Sequence, residues 1–225
     1  MLNIDIMTLK TKENYLKTMY LLTDEEGNVS MSELGKRIGV SSPTVNSMVK
    51  RLRDKGWVVY EKYKPLKLTC EGKKTAALIL RKHRIAEVFL FEKMSFSWEE
   101  VHDIAEDMEH IGSEAFFDRM DEILGYPDSD PHGSPIPNKE GIMDLKSYFK
   151  LSDFNRGDVV RLCSLVNSTN EFLLFLNNKE IGLGTEIVIE FVEPFDRSMT
   201  LSYKGHKSVV ISKGVCDRLL VEKVM

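Results

Sequence analysis

Residues 31–52 read Met31-Ser-Glu-Leu34-Gly35-Lys-Arg-Ile38-Gly39-Val40-Ser41-Ser42-Pro43-Thr44-Val45-Asn46-Ser47-Met48-Val49-Lys50-Arg51-Leu52. The stretch predicts two short helices joined by a tight turn. Met31–Ile38 is the first, with Ser30 or Ser32 as its cap. Gly39-Val40-Ser41 makes the turn. Ser42-Pro43 opens the second, with proline in the first turn, where a missing N–H costs nothing. That helix runs to about Lys55 and stops at Gly56. Gly35 is the small residue needed where two helices approach closely, and Val45, Met48, Val49 and Leu52 form an inward stripe. Together these are the parts of a helix-turn-helix.

The outer face of the second helix is polar and basic. Ser41, Ser42, Pro43 and Thr44 are short enough to approach base edges. Their hydroxyls can donate or accept there, and the Pro43 ring or the Thr44 methyl can touch a thymine methyl. Asn46 and Ser47 continue this face. Lys50, Arg51 and Arg53 suit phosphate oxygens. An ordinary helical hairpin is the bland alternative. Against it stands the next segment, Trp57–Thr69, which alternates on both sides of Lys64-Pro65 and predicts a β-hairpin, the wing of a winged helix. Upstream, Thr11–Thr23 predicts a helix with Tyr15, Met19 and Leu22 on one stripe.

A second pattern follows. Glu71–Met94 reads as one long helix carrying His83 and Glu87 one turn apart. Ser97 and Glu100 have capping-box spacing, and the helix they introduce carries His102, Glu106, Glu109 and His110. At about 3.6 residues per turn those four side chains share one stripe. Any one of them alone is most simply a solvated or hydrogen-bonded residue. Three histidines and three glutamates on successive helices are different, because carboxylates on one face repel and a divalent cation offsets that. Imidazole with carboxylate, and no cysteine, fits Mn(II) or Fe(II) better than a thiolate zinc site. Ser113–Leu124 reads as a further helix.

Charge is distributed to match. Residues 1–84 hold 17 basic and 9 acidic residues, a net +8, which suits a polyanion such as DNA. Residues 85–130 hold 2 and 14, a net −12, which suits cations, though a solvated acidic face has the same signature. The chain of 225 residues is 42% hydrophobic and 29% charged, with apolar runs far too short to span a bilayer. The N-terminus has no basic region leading into an apolar stretch, and Cys70, Cys163 and Cys216 are scattered without CxxC spacing. A cytoplasmic protein with three inert thiols and no membrane partner is expected.

Tyr126–Gly141 is rich in proline and glycine and marks a linker. Beyond it, Val159–Val166, Glu186–Val192, Ser198–Tyr203 and Ser208–Ile211 are β-rich, with a tight turn at Gly182–Thr185. A small antiparallel barrel is expected. The division is 1–70, 71–141 (linker from about 126) and 142–225.

These residues resemble the DtxR/MntR family of metal-dependent transcriptional repressors over essentially the whole chain. The resemblance rests on Ser41–Val45, Tyr60-Glu-Lys-Tyr, Arg81-Lys-His83-Arg, Val101-His102-Asp, Glu109-His110 and the linker Pro131-His-Gly-Ser-Pro-Ile-Pro137. It implies a mainly α chain with a little β: a winged helix-turn-helix, a helical dimerisation and metal-binding domain, and a C-terminal SH3-like barrel similar to FeoA. Carried over by position, His83, Glu87 and His102 match an ancillary metal site, to which the C-terminal domain adds ligands. Glu171 falls on one such position, and Ser168 stands where a Glu is expected. Glu106, Glu109 and His110 match the site nearer the DNA-binding domain. Glu106 is the manganese-type residue where iron-type members have Cys, a hard ligand for a soft one.

Two positions depart from the manganese-type pattern. Asn14 and Lys17 stand where two carboxylates are used. Asn14 can still offer a carbonyl oxygen, but a charged Lys17 cannot bind metal. One ion at each of two sites per subunit is therefore expected rather than a two-ion cluster. The function implied is a homodimeric repressor of manganese-uptake genes that binds a palindromic double-stranded DNA operator with Mn(II) as co-repressor. Rival readings are an Fe(II)-responsive repressor, a metal-independent winged-helix regulator, and a metallohydrolase. The hydrolase would leave the DNA-binding module unexplained, and no HExxH is present.

Overall fold

The computed structural model describes residues 2–61 and 64–224, with residues 2–8 described by their backbone alone. The chain forms two compact units. The first comprises residues 1–86, 105–125 and 136–144; the second comprises 87–104, 126–135 and 145–225.

The first unit starts with α1 (Leu2–Leu21), α2 (Met31–Ile38) and α3 (Ser42–Asp54). Ser30 caps α2 by accepting the Glu33 N–H, and Gly39 ends it in the left-handed conformation at φ 76°. A Cβ on Gly35 would sit 3.2 Å from the Val40 carbonyl oxygen and 3.3 Å from Val45 Cγ2, so the close approach expected there is present. Val45, Met48, Val49 and Leu52 point inward and join Tyr15, Leu16, Met19 and Leu34 in one core. The wing pairs β1 (Val58–Val59) with β2 (Lys67–Leu68), antiparallel, and Val29 adds a bridge to Leu66. Lys62 and Tyr63, part of the Tyr60–Tyr63 motif, lie outside the described residues.

From Cys70 to Met94 the chain is one helix, α4, whose residues up to Ala86 belong to the first unit. The next helix, α5, spans Val101–Met108, shorter than the sequence pattern at both ends. Glu100 does accept from both the N–H (2.9 Å) and the hydroxyl (2.7 Å) of Ser97. Its own N–H goes to the Ser97 carbonyl, however, so Ser97–Glu100 is a separate turn and the helix begins after it. Glu109 and His110 stand in the turn that closes α5 rather than on the helix. The Glu109 N–H still reaches the Ala105 carbonyl at 2.9 Å. Helix α6 (Glu114–Leu124) is capped by Ser113 and ended by Gly125. Arg81 of α4 ties this unit together by donating to the buried Asp121 of α6 and, at 2.7 Å, to the Pro137 carbonyl.

The second unit carries β3 (Phe149–Lys150), β4 (Val159–Leu165), α7 (Asn170–Asn178), β5 (Glu186–Val192), β6 (Met199–Tyr203), β7 (His206–Ile211), α8 (Lys213–Cys216) and β8 (Leu219–Lys223). The strands make one antiparallel sheet in the order β3-β8-β4-β5-β6-β7. The two ends of that order do not pair, so the expected closed barrel is corrected to an open SH3-like sheet. Bulges between Leu162 and Ser164 and between Ile189 and Phe191 supply its curvature. Inward residues of the strands pack on Phe172, Leu173 and Leu176 of α7, with Trp98 at the edge of this core. Burial there pushes the Cys216 thiol up to about 12, which makes it inert at neutral pH. Among the described residues no helix is long and apolar enough to cross a membrane.

Candidate metal centre and nucleic-acid interface

Within the first unit, α1, α4 and the end of α5 bring together a buried group of charged and polar side chains. Glu109 is 1% exposed. Its Oε2 accepts from Lys17 Nζ at 2.7 Å and from His83 Nδ1 at 2.7 Å. Lys17 Nζ also donates to Glu106 Oε2 at 2.8 Å. His110 Nδ1 donates to Glu13 Oε2 at 2.6 Å.

Three side-chain atoms on α1 and in the turn after α5 are buried and have no hydrogen-bond partner: Asn14 Oδ1, Glu109 Oε1 and His110 Nε2. Buried polar atoms normally find partners, because leaving one unmade costs about 1–3 kcal/mol. These orphans are a carbonyl oxygen, a carboxylate oxygen and an imidazole nitrogen. Glu109 Oε1 and His110 Nε2 lie 3.5 Å apart. Glu13 accepts from Nδ1 of His110, and in the neutral imidazole this leaves the lone pair on Nε2, which is how a carboxylate orients a metal-binding imidazole. A carbonyl oxygen, a carboxylate oxygen and an imidazole nitrogen are the donor types that fit a hard or borderline divalent ion.

Of the other expected ligands, His83 and Glu106 have ligand-type atoms within 4.8 Å of one another. In the second unit, His102 Nδ1 meets Glu87 Oε1 at 3.2 Å, with Glu87 buried and His102 more than half exposed. Glu171 lies exposed in the first turn of α7.

Sequence reasoning missed two features. Glu13 carried no signal, because its partner His110 is 97 residues away. Asp130 and His132 were read only as linker. Both are buried, and with Glu87 they bring ligand-type atoms within 4.8 Å of one another. Both also bond to the backbone. Asp130 Oδ1 accepts the N–H groups of His132 (2.8 Å) and Ser134 (2.9 Å). His132 Nε2 donates to the Trp98 carbonyl at 2.8 Å, and its ring stacks on Trp98. The linker is seated on β4 by the Leu165 N–H on the His132 carbonyl. At Gly133, with φ +82°, any Cβ would fall 2.2 Å from the Cys163 carbonyl oxygen.

On the DNA-binding side, Ser41, Ser42, Pro43, Thr44, Ser47, Lys50 and Arg51 are all exposed on or beside α3. Ser41 and Thr44 share a hydroxyl contact at 3.0 Å. Asn46 is half-buried: its Oδ1 accepts from Tyr60 of the wing at 2.9 Å, and its Nδ2 donates to the Ser42 carbonyl. In this state Asn46 braces the wing against the recognition helix.

A winged helix presenting a polar, basic α3, with buried polar atoms left over where α1 meets the end of α5, defines a cation-responsive DNA-binding regulator. Comparison with known proteins agrees. The family described as iron dependent repressor, N-terminal DNA binding domain, matches residues 7–66. Iron dependent repressor, metal binding and dimerisation domain, matches residues 69–138. The chain is 37% identical to the diphtheria toxin repressor of Corynebacterium glutamicum, covering 95% of this chain and 96% of that one. It is 30% identical to the iron-dependent repressor IdeR of Mycobacterium leprae, over 95% and 97% of the two chains. A solved structure described as a manganese-dependent transcriptional repressor in complex with manganese matches with a TM-score of 0.85 at 26% identity, over 95% of this chain and all of that one. The chain belongs to the DtxR/MntR family of metal-dependent transcriptional repressors; it is a DNA-binding repressor and not an enzyme.

Proposed function

We propose that this protein represses metal-ion uptake genes, with Mn(II) as its co-repressor, as a homodimer on a palindromic operator. The observation that carries the reading is the set of three unpartnered polar atoms, Asn14 Oδ1, Glu109 Oε1 and His110 Nε2. Mn(II) favours oxygen ligands with a minority of imidazole, and Glu106 beside this set is a further hard donor with no thiolate among them. A bound divalent ion would supply the positive charge that joins α1 to the end of α5. Asn14 and Glu13 belong to the helix whose Tyr15, Leu16 and Met19 pack in the same core as Val45 and Val49 of α3. Fixing the polar face of α1 thus fixes the helix on which the recognition helix leans. In a two-fold dimer the recognition helices then match half-sites about one helical turn, or a multiple, apart.

A second ion per subunit is proposed on Glu87 and His102, which already face one another. We keep 1–70, 71–141 and 142–225 as the functional division. Fe(II) is the second reading for the effector, favoured by the iron-dependent repressors among the relatives.

Linkage makes the mechanism testable: a metal that strengthens DNA binding must be bound more tightly when DNA is present, by the same factor. Operator binding on the promoter of a metal-ion transporter is expected to be lost in EDTA and restored by Mn(II). Restoration by Fe(II) under anaerobic conditions, at equal or lower concentration than Mn(II), would transfer the protein to the iron-responsive reading. Binding indifferent to EDTA would reject the metal switch.

A further inference from the structure

Lys17 is unusual chemistry for the face it occupies. It is 6% exposed, and its ammonium lies between two carboxylates, 2.8 Å from Glu106 and 2.7 Å from Glu109. A buried lysine is rare unless paired, and this one is paired twice. Three carboxylates, Glu13, Glu106 and Glu109, face one ammonium, Lys17, and two imidazoles, His83 and His110. Glu109 divides its two oxygens: Oε1 has no hydrogen bond and lies 3.5 Å from His110 Nε2, while Oε2 is taken by Lys17 and His83.

We propose that the Lys17 ammonium is a tethered cation holding the place of a second divalent ion. The carboxylates of Glu106 and Glu109 then offer two cation positions. Lys17 fills one permanently, and the other is completed by Asn14, Glu109 Oε1 and His110. Two consequences follow: this centre takes a single exchangeable ion, and part of the tie between α1 and the end of α5 persists when metal is removed. The inference rests on the metal-binding reading above, and its test separates the two.

The test uses the full-length chain. Mn(II) per chain is measured by equilibrium dialysis and elemental analysis at saturating metal, for wild type, Lys17→Glu and Lys17→Arg. Lys17→Glu is expected to take up one more Mn(II) per chain than wild type, and Lys17→Arg the same number. Melting is measured in EDTA for wild type and Lys17→Met. Losing the ammonium should lower the metal-free melting temperature by about 5 °C or more, since it strands a buried carboxylate. Excess Mn(II) should then raise the melting temperature of Lys17→Met by more than it raises that of wild type. An unchanged Mn(II) count in folded Lys17→Glu overturns the proposal. Should Lys17→Glu fail to fold, wild-type behaviour of Lys17→Met both in EDTA and in Mn(II) overturns it instead. Wild-type protein that binds no Mn(II) or Fe(II) would reject the metal reading itself, while the melting of Lys17→Met in EDTA still decides whether Lys17 is the internal cation.

Discussion

Each unit of this chain buries a histidine against a carboxylate, and the two arrangements differ in what completes them. In the second unit, Asp130 and His132 bond to the backbone: Asp130 to the N–H groups of His132 and Ser134, His132 to the carbonyl of Trp98. These bonds close the turn of the linker and tie it to Trp98, while the Leu165 N–H on the His132 carbonyl seats it on β4. In the first unit, the side chains of Glu109 and His110 bond to other side chains, and Asn14 Oδ1, Glu109 Oε1 and His110 Nε2 are left without hydrogen bonds. A carboxylate bonded to backbone N–H groups is a lock, set when the chain folds. A carboxylate and imidazole with polar atoms to spare form a socket, and the energy of completing it is available for regulation.

The sharpest way to break that comparison is to truncate one histidine or carboxylate from each arrangement. Asp130→Ala removes the acceptor for two N–H groups in a buried turn, so the loss of stability is expected to be about 2–4 kcal/mol, read by urea unfolding. The number of metal ions bound to the folded protein should not change. His110→Ala should do the reverse: the ion at the Asn14–Glu109 centre is lost, with metal-dependent operator binding, while metal-free stability falls by less than in Asp130→Ala. If Asp130→Ala abolishes metal uptake and His110→Ala does not, the assignments of lock and socket are exchanged.

A smaller effect tests how the socket is aimed. Glu13→Gln keeps the shape of the side chain but weakens the acceptor that holds the Nδ1 proton of His110. Removing such an orienting partner typically costs 10–100-fold in metal affinity. The expectation is a shift of that size in the Mn(II) concentration for half-maximal operator binding, with the maximum reached at saturating metal left near wild type. A wild-type midpoint would show that Glu13 only fills space beside His110.

The difference between the two arrangements also explains what was legible in the sequence. The helix-turn-helix was, because its cap at Ser30, its left-handed Gly39 and its close approach at Gly35 are all local. The stripe His102–Glu106–Glu109–His110 was legible as a face, but its last two members fall in the turn after α5, since periodicity does not say where a helix ends. Helix α7 went unread because Phe172-Leu-Leu-Phe-Leu176 suits a buried strand as well as a helix. Whether the sheet closes depends on pairing between its edges, which no single strand records. The contacts that make the socket were hidden by distance along the chain: Lys17 reaches Glu106 across 89 residues. From the sequence its lysine could be read as an obstacle to metal, or as a salt bridge in place of one ion, but Glu106 and Glu109 could not be named as its partners.

The smallest expected effect lies outside both arrangements and controls for them. Lys50 is exposed on α3 and belongs to neither the lock nor the socket. Lys50→Ala should leave stability and metal count at wild-type values. If Lys50 contacts a phosphate, operator and non-operator DNA weaken alike by a few-fold, and the slope of log affinity against log salt falls by about one unit. A loss confined to one operator sequence would instead make Lys50 a reader of base edges, for which its side chain would have to reach O6 or N7 of a guanine. Either result separates the two steps of the proposed mechanism, in which the socket decides whether the recognition helices are held at the operator spacing and the face of α3 decides how tightly, and on which sequence, they then bind.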